Sequence, residues 1–210
     1  GVIGFLSDTL VNGPLGELKE AWGITTPWLA GSPFMVQVLV VMFTFEFGQY
    51  WMHRAMHNWY PLWLTHAPHH HITQLNALKG FIGNPIELFL ISLGVIALLD
   101  VDLNALFAAI TTSGAIAAYA HANIRANPPI WFGFVFTTIR HHSLHHTALS
   151  YEDTRCNYGN SVIFWDRVFG TFKDGESEIV GQDDRRRLSI KEQWLFPLRP
   201  WLEKRKAAEG

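Results

Sequence analysis

The sequence predicts an all-α protein of the integral-membrane class, and its composition and hydropathy pattern support that prediction. Charged residues make up 16% of the 210 residues, against roughly 25% in an ordinary soluble domain. Three apolar runs of helical length lie at residues 34–51, 86–99 and 103–120. The mean hydropathy of +0.10 is too low for a chain that is embedded throughout in lipid. We therefore expect a membrane-embedded helical base that carries a polar helical cap.

Residues 1–33 are expected to form a lead-in segment that lies on the membrane surface. Turn signals occur at three places, residues 12–14, 26–27 and 31–33. A short helix is predicted between them, over residues 15–22. No initiator methionine opens the chain, and its first eleven residues lack the flanks of a signal peptide. We expect a further segment, such as another span, to precede Gly1.

Residues 34–51 are the strongest candidate for a transmembrane helix. At about 1.5 Å per residue, they are long enough to cross most of a hydrocarbon core of about 30 Å. Gln37 and Glu46 interrupt the run, and a carboxylate at mid-span costs about 2.5–3.5 kcal/mol on insertion scales. Because ionisable residues inside a membrane usually have a role, Glu46 is a candidate site residue.

The second and third apolar runs are separated only by Asp100, Val101 and Asp102. Such a short linker permits only a tight turn, so the two runs are predicted to form a helical hairpin that enters the bilayer and returns. The first arm, residues 86–99, is short for a full crossing. The two aspartates would lie at the far tip, and both open ends would face the same side as His53.

The distribution of cations predicts the orientation of these segments. Residues 1–33 and the hairpin tip contain only one of the sixteen lysines and arginines, Lys19. Because cytoplasmic segments are enriched in these cations, the opposite side, which carries the histidines and the charged tail, is expected to face the cytoplasm. The net charge is −2, and no basic tract with interleaved aromatics occurs, so no nucleic-acid partner is expected.

All eleven histidines lie between His53 and His146. Placing a histidine near lipid costs free energy, and packing it in a hydrophobic core stabilises the fold little. This clustering therefore points first to metal binding. His53 and His57 are four residues apart and would share one helical face. Tyr50 and Glu46 continue the same stripe, and either could orient a ring by a hydrogen bond. The alternative for Glu46 is a structural pairing with another helix.

Two histidine triplets have the spacing i, i+3, i+4, which places their rings near one face of a helix. The triplets are His66, His69 and His70, and His142, His145 and His146. Pro68 disfavours helical geometry at the preceding residue, so His66 is expected at the mouth of its helix.

Three further histidines lie outside the pair and the triplets. His121 follows the third apolar run, and its place at the same membrane face favours a ligand over a hydrogen-bonded helix-end residue. His71 and His141 point about 100° away from the adjacent triplets and are assigned as non-ligands. A register in which His141 pairs with His145 stays open.

The number and type of these side chains indicate the kind of site. Eight or nine imidazoles exceed the three or four ligands of a zinc centre and suit two metals, each with an open position. The single Cys156 excludes an internal disulfide, and the boxes contain no carboxylate. The alternatives are a histidine-rich surface patch, a pH sensor and zinc hydrolysis. Iron, with its oxygen chemistry, fits a site at the lipid boundary best.

The ordered boxes resemble those of the fatty acid hydroxylase/sterol desaturase superfamily, a group of integral-membrane non-haem di-iron oxygenases. Members carry HxxxH, HxxHH and HxxHH boxes, which the pair and the two triplets match, and the resemblance covers residues 45–172. Residues 157–159 and 165–171 resemble the family's ending, and His121 with Asn123 resembles its His-x-Asn motif. Some relatives have a further histidine where this chain has Arg125.

The resemblance implies two iron ions, O2 as co-substrate and hydroxylation or desaturation of an unactivated C–H bond of a membrane lipid. The implied ligands are His53, His57, His66, His69, His70, His121, His142, His145 and His146. No His-Pro-Gly-Gly loop of a fused cytochrome b5 domain occurs. The electron donor is therefore expected to be a separate protein of the ferredoxin, rubredoxin or cytochrome b5 type, with a reductase.

Six residues are candidates for the hydrogen bonds that orient ligand rings. They are Glu46, Tyr50, Asn123, Asp153, Asn157 and Asp166. For the last three, the alternative is a role in helix capping or turn structure.

We expect one domain over residues 1–210, with the lead-in followed by a family core at 34–172 and a cytoplasmic tail at 173–210. The expected location is a bacterial inner membrane or the endoplasmic reticulum, with the boxes on the cytoplasmic face. Sterols, fatty acyl chains, carotenoids and ether lipids all suit an apolar hairpin.

The rival hypothesis is a membrane metal-binding or transport protein that uses the histidines as a relay. A transporter should carry polar residues through its spans, yet the hairpin arms hold little beyond Glu87, Ser92 and residues 111–113. A scaffold that has lost its activity is a third possibility, and the intact boxes disfavour it.

Overall fold

A computed structural model describes residues 1–81, 83–91, 95–126, 128–149, 152–182 and 185–209. The regular elements of the described residues are all helices, and these residues contain no strand, only an isolated bridge between Thr147 and Val180. The predicted all-α class is confirmed. The α-helices are α1 Val2–Ser7, α2 Gly13–Ala21, α3 Pro27–Ala30, α4 Phe34–Asn58, α5 Tyr60–His70, α6 Pro85–Ile91, α7 Leu103–Ala120, α8 Ile130–Val135, α9 Ile139–His145, α10 Phe164–Val168, α11 Ile190–Leu195 and α12 Arg199–Glu209. Short 3-10 turns lie at Ala77–Phe81, Val95–Leu98, Glu152–Thr154 and Phe196–Leu198.

Helices α4 and α7 are long and apolar enough to cross a membrane. They pack against each other through a core formed by Val38, Val41 and Met42 of α4 and by Ala105 and Ala109 of α7. The two small alanines allow the helix backbones to approach closely, as is common between membrane helices. The two candidate spans are therefore adjacent helices.

Helix α4 continues seven residues beyond the predicted span, and this extension carries His53 and His57. The helix ends where Trp59 adopts an extended conformation, and Pro61 lies in the first turn of α5. A proline is tolerated there because the first amides of a helix have no partner within it. The first histidine pair is thus attached rigidly to a candidate span.

The two arms of the predicted hairpin differ in the structure. Helix α7 has the predicted bounds, and the Asp102 carboxylate caps it by accepting hydrogen bonds from the amides of Asn104 and Ala105. The first arm is not one helix over 86–99, because it contains the short helix α6 and the 3-10 turn Val95–Leu98. Residues 92–94, which include Ser92, lie outside the described part.

The lead-in is more helical than predicted. Helix α1, a π-helical turn at Asp8–Asn12 and α2 follow one another without a break. The predicted turn at residues 12–14 is wrong, because Gly13 has a helical φ of −59° and Pro14 lies in the first turn of α2. Helices α1 and α2 pack along α6 and the Val95–Leu98 turn. The expectation of a surface-lying segment did not include this contact with the first hairpin arm.

The tip of the hairpin lies at the same end of the molecule as the start of α4. Lys19 forms an ion pair with Asp100, whose carboxylate also accepts a hydrogen bond from the Thr26 amide. The Asp102 amide donates to Gln37 Oε1 at 2.7 Å. Gln37, the first polar interruption of the apolar run, therefore joins the span to the hairpin.

The tail returns to the histidine-bearing end. Ser189 and Glu192 form a capping box at the start of α11. The Asn84 side chain donates to the carbonyls of Gln193 and Trp194 at 2.8 and 3.1 Å. These bonds hold α11 beside the start of α6.

Candidate metal centre

Nine buried histidines converge on two adjacent clusters. The five-histidine cluster contains His53, His57, His66, His70 and His145. The four-histidine cluster contains His69, His121, His142 and His146. Within each cluster the candidate ligand atoms all lie within 4.8 Å of one another. The structure thus brings together all nine predicted ligands and divides them into two sets.

Each triplet is divided between the two clusters. On α5, His69 and His70 differ by about 100° in direction, so neighbouring residues supply different clusters. On α9 and its C-terminal cap, His145 supplies the five-histidine cluster while His142 and His146 supply the other. The expectation that His66 lies at the mouth of a helix is wrong, because α5 begins at Tyr60 and includes Pro68.

Hydrogen bonds outside the five-histidine cluster determine which ring nitrogen carries the proton. His53 Nδ1 lies 2.6 Å from the Tyr158 carbonyl, and His145 Nδ1 lies 2.7 Å from the Cys156 carbonyl. A carbonyl can only accept, so both Nδ1 atoms donate and both Nε2 atoms keep their lone pairs. His66 Nδ1 lies 2.6 Å from Glu87 Oε1, and this contact fixes the orientation of that ring.

The Nε2 atoms converge inside the five-histidine cluster. His53 Nε2 and His70 Nε2 each lie 3.0 Å from His66 Nε2. His145 Nε2, which keeps its lone pair because Nδ1 donates, is buried without a hydrogen-bond partner among the described residues. A metal cation at the point of convergence would accept that lone pair, so the donor set fits a metal ion.

The four-histidine cluster has the same character. His121 Nδ1 donates to the Ala117 carbonyl at 2.8 Å, and His121 Nε2 lies 2.9 Å from His142 Nε2 and 3.2 Å from His69 Nε2. Both ring nitrogens of His146 are buried without a hydrogen-bond partner among the described residues. Buried polar atoms rarely lack a partner, so these nitrogens also fit a bound cation.

Burial favours the neutral form of five cluster histidines on α5, on α9 and at its C-terminal cap. It lowers the pKa of His66 to about 3. Burial, and then repulsion between neighbouring imidazoles, lowers the pKa values of His70, His142, His145 and His146 well below 6.5. Neutral imidazole is the form that binds metal, so these rings are ready to act as ligands at pH 7.

Glu46 and Tyr50 do not hydrogen-bond to a histidine ring in the described structure. The buried Glu46 carboxylate accepts from the amides of Asn160 and Ser161 at 3.1 Å and from the Ser161 hydroxyl at 2.6 Å. The Tyr50 hydroxyl lies 3.0 Å from Thr171 Oγ1. Both residues hold the chain segment that follows the Tyr158 carbonyl, so their link to the rings is indirect.

Asp166 and Asn157 also form hydrogen bonds with backbone groups. The Asp166 carboxylate accepts from the amides of Tyr158 and Gly159, each at 2.8 Å, and from Thr171 Oγ1 at 2.6 Å. Asn157 has a φ of +52°, and its amide group donates to the carbonyls of His141 and Lys173. Asp166 therefore fixes the loop that orients His53.

The other two predicted orienting residues are Asn123 and Asp153. Asn123 is exposed, and no hydrogen bond to a ring is seen for it within the described ranges. Asp153 accepts a hydrogen bond from the Cys156 thiol through its backbone carbonyl. The neighbouring Thr154 is the residue whose hydroxyl lies 3.3 Å from His57 Nδ1.

Sequence reasoning missed the groups that contact the rings directly. Glu87 is a buried carboxylate from α6, and the carbonyls of Tyr158 and Cys156 come from the loop after α9. The signal for Glu87 was its charge within an apolar run, which usually marks a functional residue. No sequence signal identifies a backbone carbonyl.

His71 and His141 lie outside both clusters. His71 Nδ1 is 3.3 Å from the Arg186 carbonyl. His141 contacts the Thr138 hydroxyl at 3.0 Å and the Asp174 carboxylate at 3.3 Å.

Comparison with protein-family models identifies residues 38–171 as fatty acid hydroxylase. The ornithine lipid hydroxylase OlsE of Rhizobium tropici is 33% identical over 152 residues, which cover 69% of this chain and 44% of that protein. A Delta(7)-sterol-C5(6)-desaturase of Nicotiana tabacum is 31% identical over 158 residues, which cover 72% of this chain and 54% of that protein. An alkylglycerol monooxygenase of Xenopus tropicalis is 26% identical over 148 residues, which cover 64% of this chain and 30% of that protein.

The chain thus spans about half the length, or less, of these curated relatives. No solved structure matches it. The family model covers more than half of the chain, and the matched segment includes every histidine of the two clusters. The chain belongs to the fatty acid hydroxylase family.

Proposed function

We propose that this chain is the core of a membrane-bound, O2-dependent oxidoreductase that hydroxylates or desaturates a C–H bond of a membrane lipid. The convergence of nine buried histidines into two neighbouring clusters is the observation that supports the proposal most directly. The names of the relatives, which include a lipid hydroxylase and a sterol desaturase, support the same reaction class.

The nine histidines of the clusters are proposed as ligands of two iron ions. Nitrogen donors dominate both clusters, and imidazole suits iron as well as zinc. Burial raises the pKa of the Cys156 thiol to about 11, and this thiol belongs to neither cluster.

Two bound iron ions would bind and activate O2, which is the oxidant, and a separate donor protein would supply the electrons. Hydroxylation consumes O2, two electrons and two protons, inserts one oxygen atom into the C–H bond and releases the other as water. Desaturation uses the same inputs, removes two hydrogen atoms from neighbouring carbons and releases two waters.

The residues of this chain position the ligands and exclude solvent. Hydrogen bonds from Nδ1 to backbone carbonyls hold His53 and His145 in the tautomer that directs the Nε2 lone pair inward, and Glu87 orients the ring of His66. These rings are 1% exposed or less, so bulk water is kept away from the reacting centre.

The protein is proposed to lie in a bacterial inner membrane or the endoplasmic reticulum with the clusters facing the cytoplasm. The skewed distribution of lysine and arginine supports this orientation. Labelling of single introduced cysteines in sealed vesicles measures it directly, because the natural Cys156 is buried. Accessibility of an Arg199→Cys variant from the non-cytoplasmic side would contradict the proposal.

The function is tested by expressing the chain with a generic reductase system and comparing whole-cell lipids by mass spectrometry. The wild type and His71→Ala should yield an O2-dependent lipid product and contain about two irons per chain. His145→Ala should lose the product and part of the iron. Full product formation in His145→Ala would overturn the mechanism. Metal uptake into sealed vesicles without any lipid product would favour the transport hypothesis.

A further inference from the structure

A cavity of about 220 Å³ lies beside both histidine clusters, between α4, α6 and α7. His66, His69 and His121 form part of its wall. Much of the remaining lining is apolar and includes Phe45 and Leu88. The cavity therefore connects a lipid-like environment with both candidate metal positions.

Ser113 of α7 lines this cavity and contributes a polar atom that nothing satisfies. Its side chain is buried, with 4% exposed. Its hydroxyl has no hydrogen-bond partner among the described residues. A serine within a helix usually bonds back to the carbonyl four residues earlier, and Ser113 does not. Inside a membrane no bulk water replaces that bond, so the hydroxyl is available to a ligand.

The neighbouring Gly114 keeps space open at the same level of the cavity. A Cβ atom added there would meet no atom within 4 Å, so the glycine is not required for helix packing. Ser113 precedes His121 by eight residues along α7 and its C-terminal cap, which corresponds to about 12 Å along the axis. A ligand that contacts Ser113 can therefore extend along α7 towards the histidines.

We propose that the Ser113 hydroxyl hydrogen-bonds to an oxygen atom of the lipid substrate, while Gly114 leaves room for the apolar chain. The substrate class is a lipid whose chain carries a hydroxyl or carbonyl oxygen that binds about two helical turns before His121 along α7. Identification of the occupant as the substrate rests on the proposed function. The hydrogen bond between Ser113 and a bound oxygen atom does not depend on the proposed function.

Equilibrium binding to the purified full-length protein in detergent tests the contact without any turnover. The probes are octane, 1-octanol and 2-octanone, measured by titration calorimetry with micelle-only blanks. One hydrogen bond is worth about a fivefold change in affinity. The wild type should therefore bind both oxygenated probes about fivefold more tightly than octane, and Ser113→Ala should reduce this preference to less than about twofold.

Three variants distinguish a direct contact at Ser113 from binding elsewhere and from a structural role. Gly114→Leu should abolish binding of all three probes, and retained binding would mean that the probes bind elsewhere, which overturns the proposal. Ser113→Thr should keep the preference. Ser113→Ala should leave the melting temperature unchanged or raise it, because it removes an unsatisfied buried hydroxyl. A clear drop in melting temperature with an intact probe preference would assign Ser113 a structural role instead.

The two proposals fail in different ways. A protein that discriminates the probes through Ser113 but makes no oxidised lipid would overturn the proposed function and leave the binding site in place. A protein that makes the lipid product with equal efficiency in wild type and Ser113→Ala, and does not discriminate the probes, would overturn only the role of Ser113.

Discussion

The carboxylate of Glu87 lies 2.6 Å from Nδ1 of His66, although 21 residues separate them in the chain. Both side chains are almost fully buried. The contact connects the first hairpin arm to the five-histidine cluster. It also assigns a role to a charge that is costly within an apolar run.

Glu87→Ala is expected to weaken metal binding in the five-histidine cluster by about 10- to 100-fold, the usual effect of removing the partner of a ligand ring. Glu87→Gln retains an oxygen acceptor and should have a smaller effect. Metal content per chain, measured by mass spectrometry after dialysis against a chelator, checks both. Glu203→Gln, in the exposed part of α12, is the matched control. Equal metal retention in Glu87→Ala and the control would contradict the prediction.

Gly83→Ala should disturb the same cluster without removing any functional group. A Cβ atom at position 83 would clash with Glu87 Oε2, so the carboxylate has to move away from His66. We expect reduced metal content and a lower melting temperature. Gly16→Ala is the control, because a Cβ atom there meets nothing within 4 Å.

A double-mutant cycle with Gly83→Ala and Glu87→Ala locates the cause of the Gly83 effect. If the added methyl acts through the carboxylate, Gly83→Ala should reduce the metal content little further in a chain that already carries Glu87→Ala. Additive losses would show that Gly83 is needed for another reason.

Asp166→Asn should destabilise the loop that follows α9. The carboxylate accepts three hydrogen bonds, from the amides of Tyr158 and Gly159 and from Thr171 Oγ1. An amide can leave a buried donor unsatisfied, which costs about 1–3 kcal/mol. Urea unfolding in detergent measures the loss. Asp174→Asn, at a largely exposed carboxylate, should change stability far less.

The metal-free protein should lose stability as the pH falls below 6.5. Burial lowers the pKa of His66 to about 3 from 6.5, so the unfolded chain binds protons first between these values. Each such imidazole contributes a slope of up to about 1.4 kcal/mol per pH unit in that window. Unfolding midpoints of chelator-treated protein between pH 7 and 4 check the slope, and His146→Phe should flatten it. A flat wild-type profile would contradict the assigned burial.

The bounds of a helix could be predicted from the sequence where an apolar run and a capping residue both mark the helix that packing forms. The bounds of α7 follow from a continuous apolar run after Asp102, a residue type that favours a helix cap. The nine ligand candidates were identified by spacing and resemblance. The division of His69 and His70 between clusters was not predicted, because it depends on how α5 docks against α9.

Contacts between distant parts of the chain could not be read from the sequence. The Glu46 carboxylate binds the loop at Asn160 and Ser161, more than a hundred residues away. The turn expected at residues 12–14 failed for a different reason. Glycine and proline favour turns on average, but both are compatible with a helix in its first turn.

The short helix α5 is common to both clusters, since its adjacent residues His69 and His70 contribute to different ones. A shift of α5 therefore displaces rings of both clusters at once. A substitution that perturbs this one helix should reduce the metal content of both candidate centres together, whereas a change confined to His121 should affect only one of them.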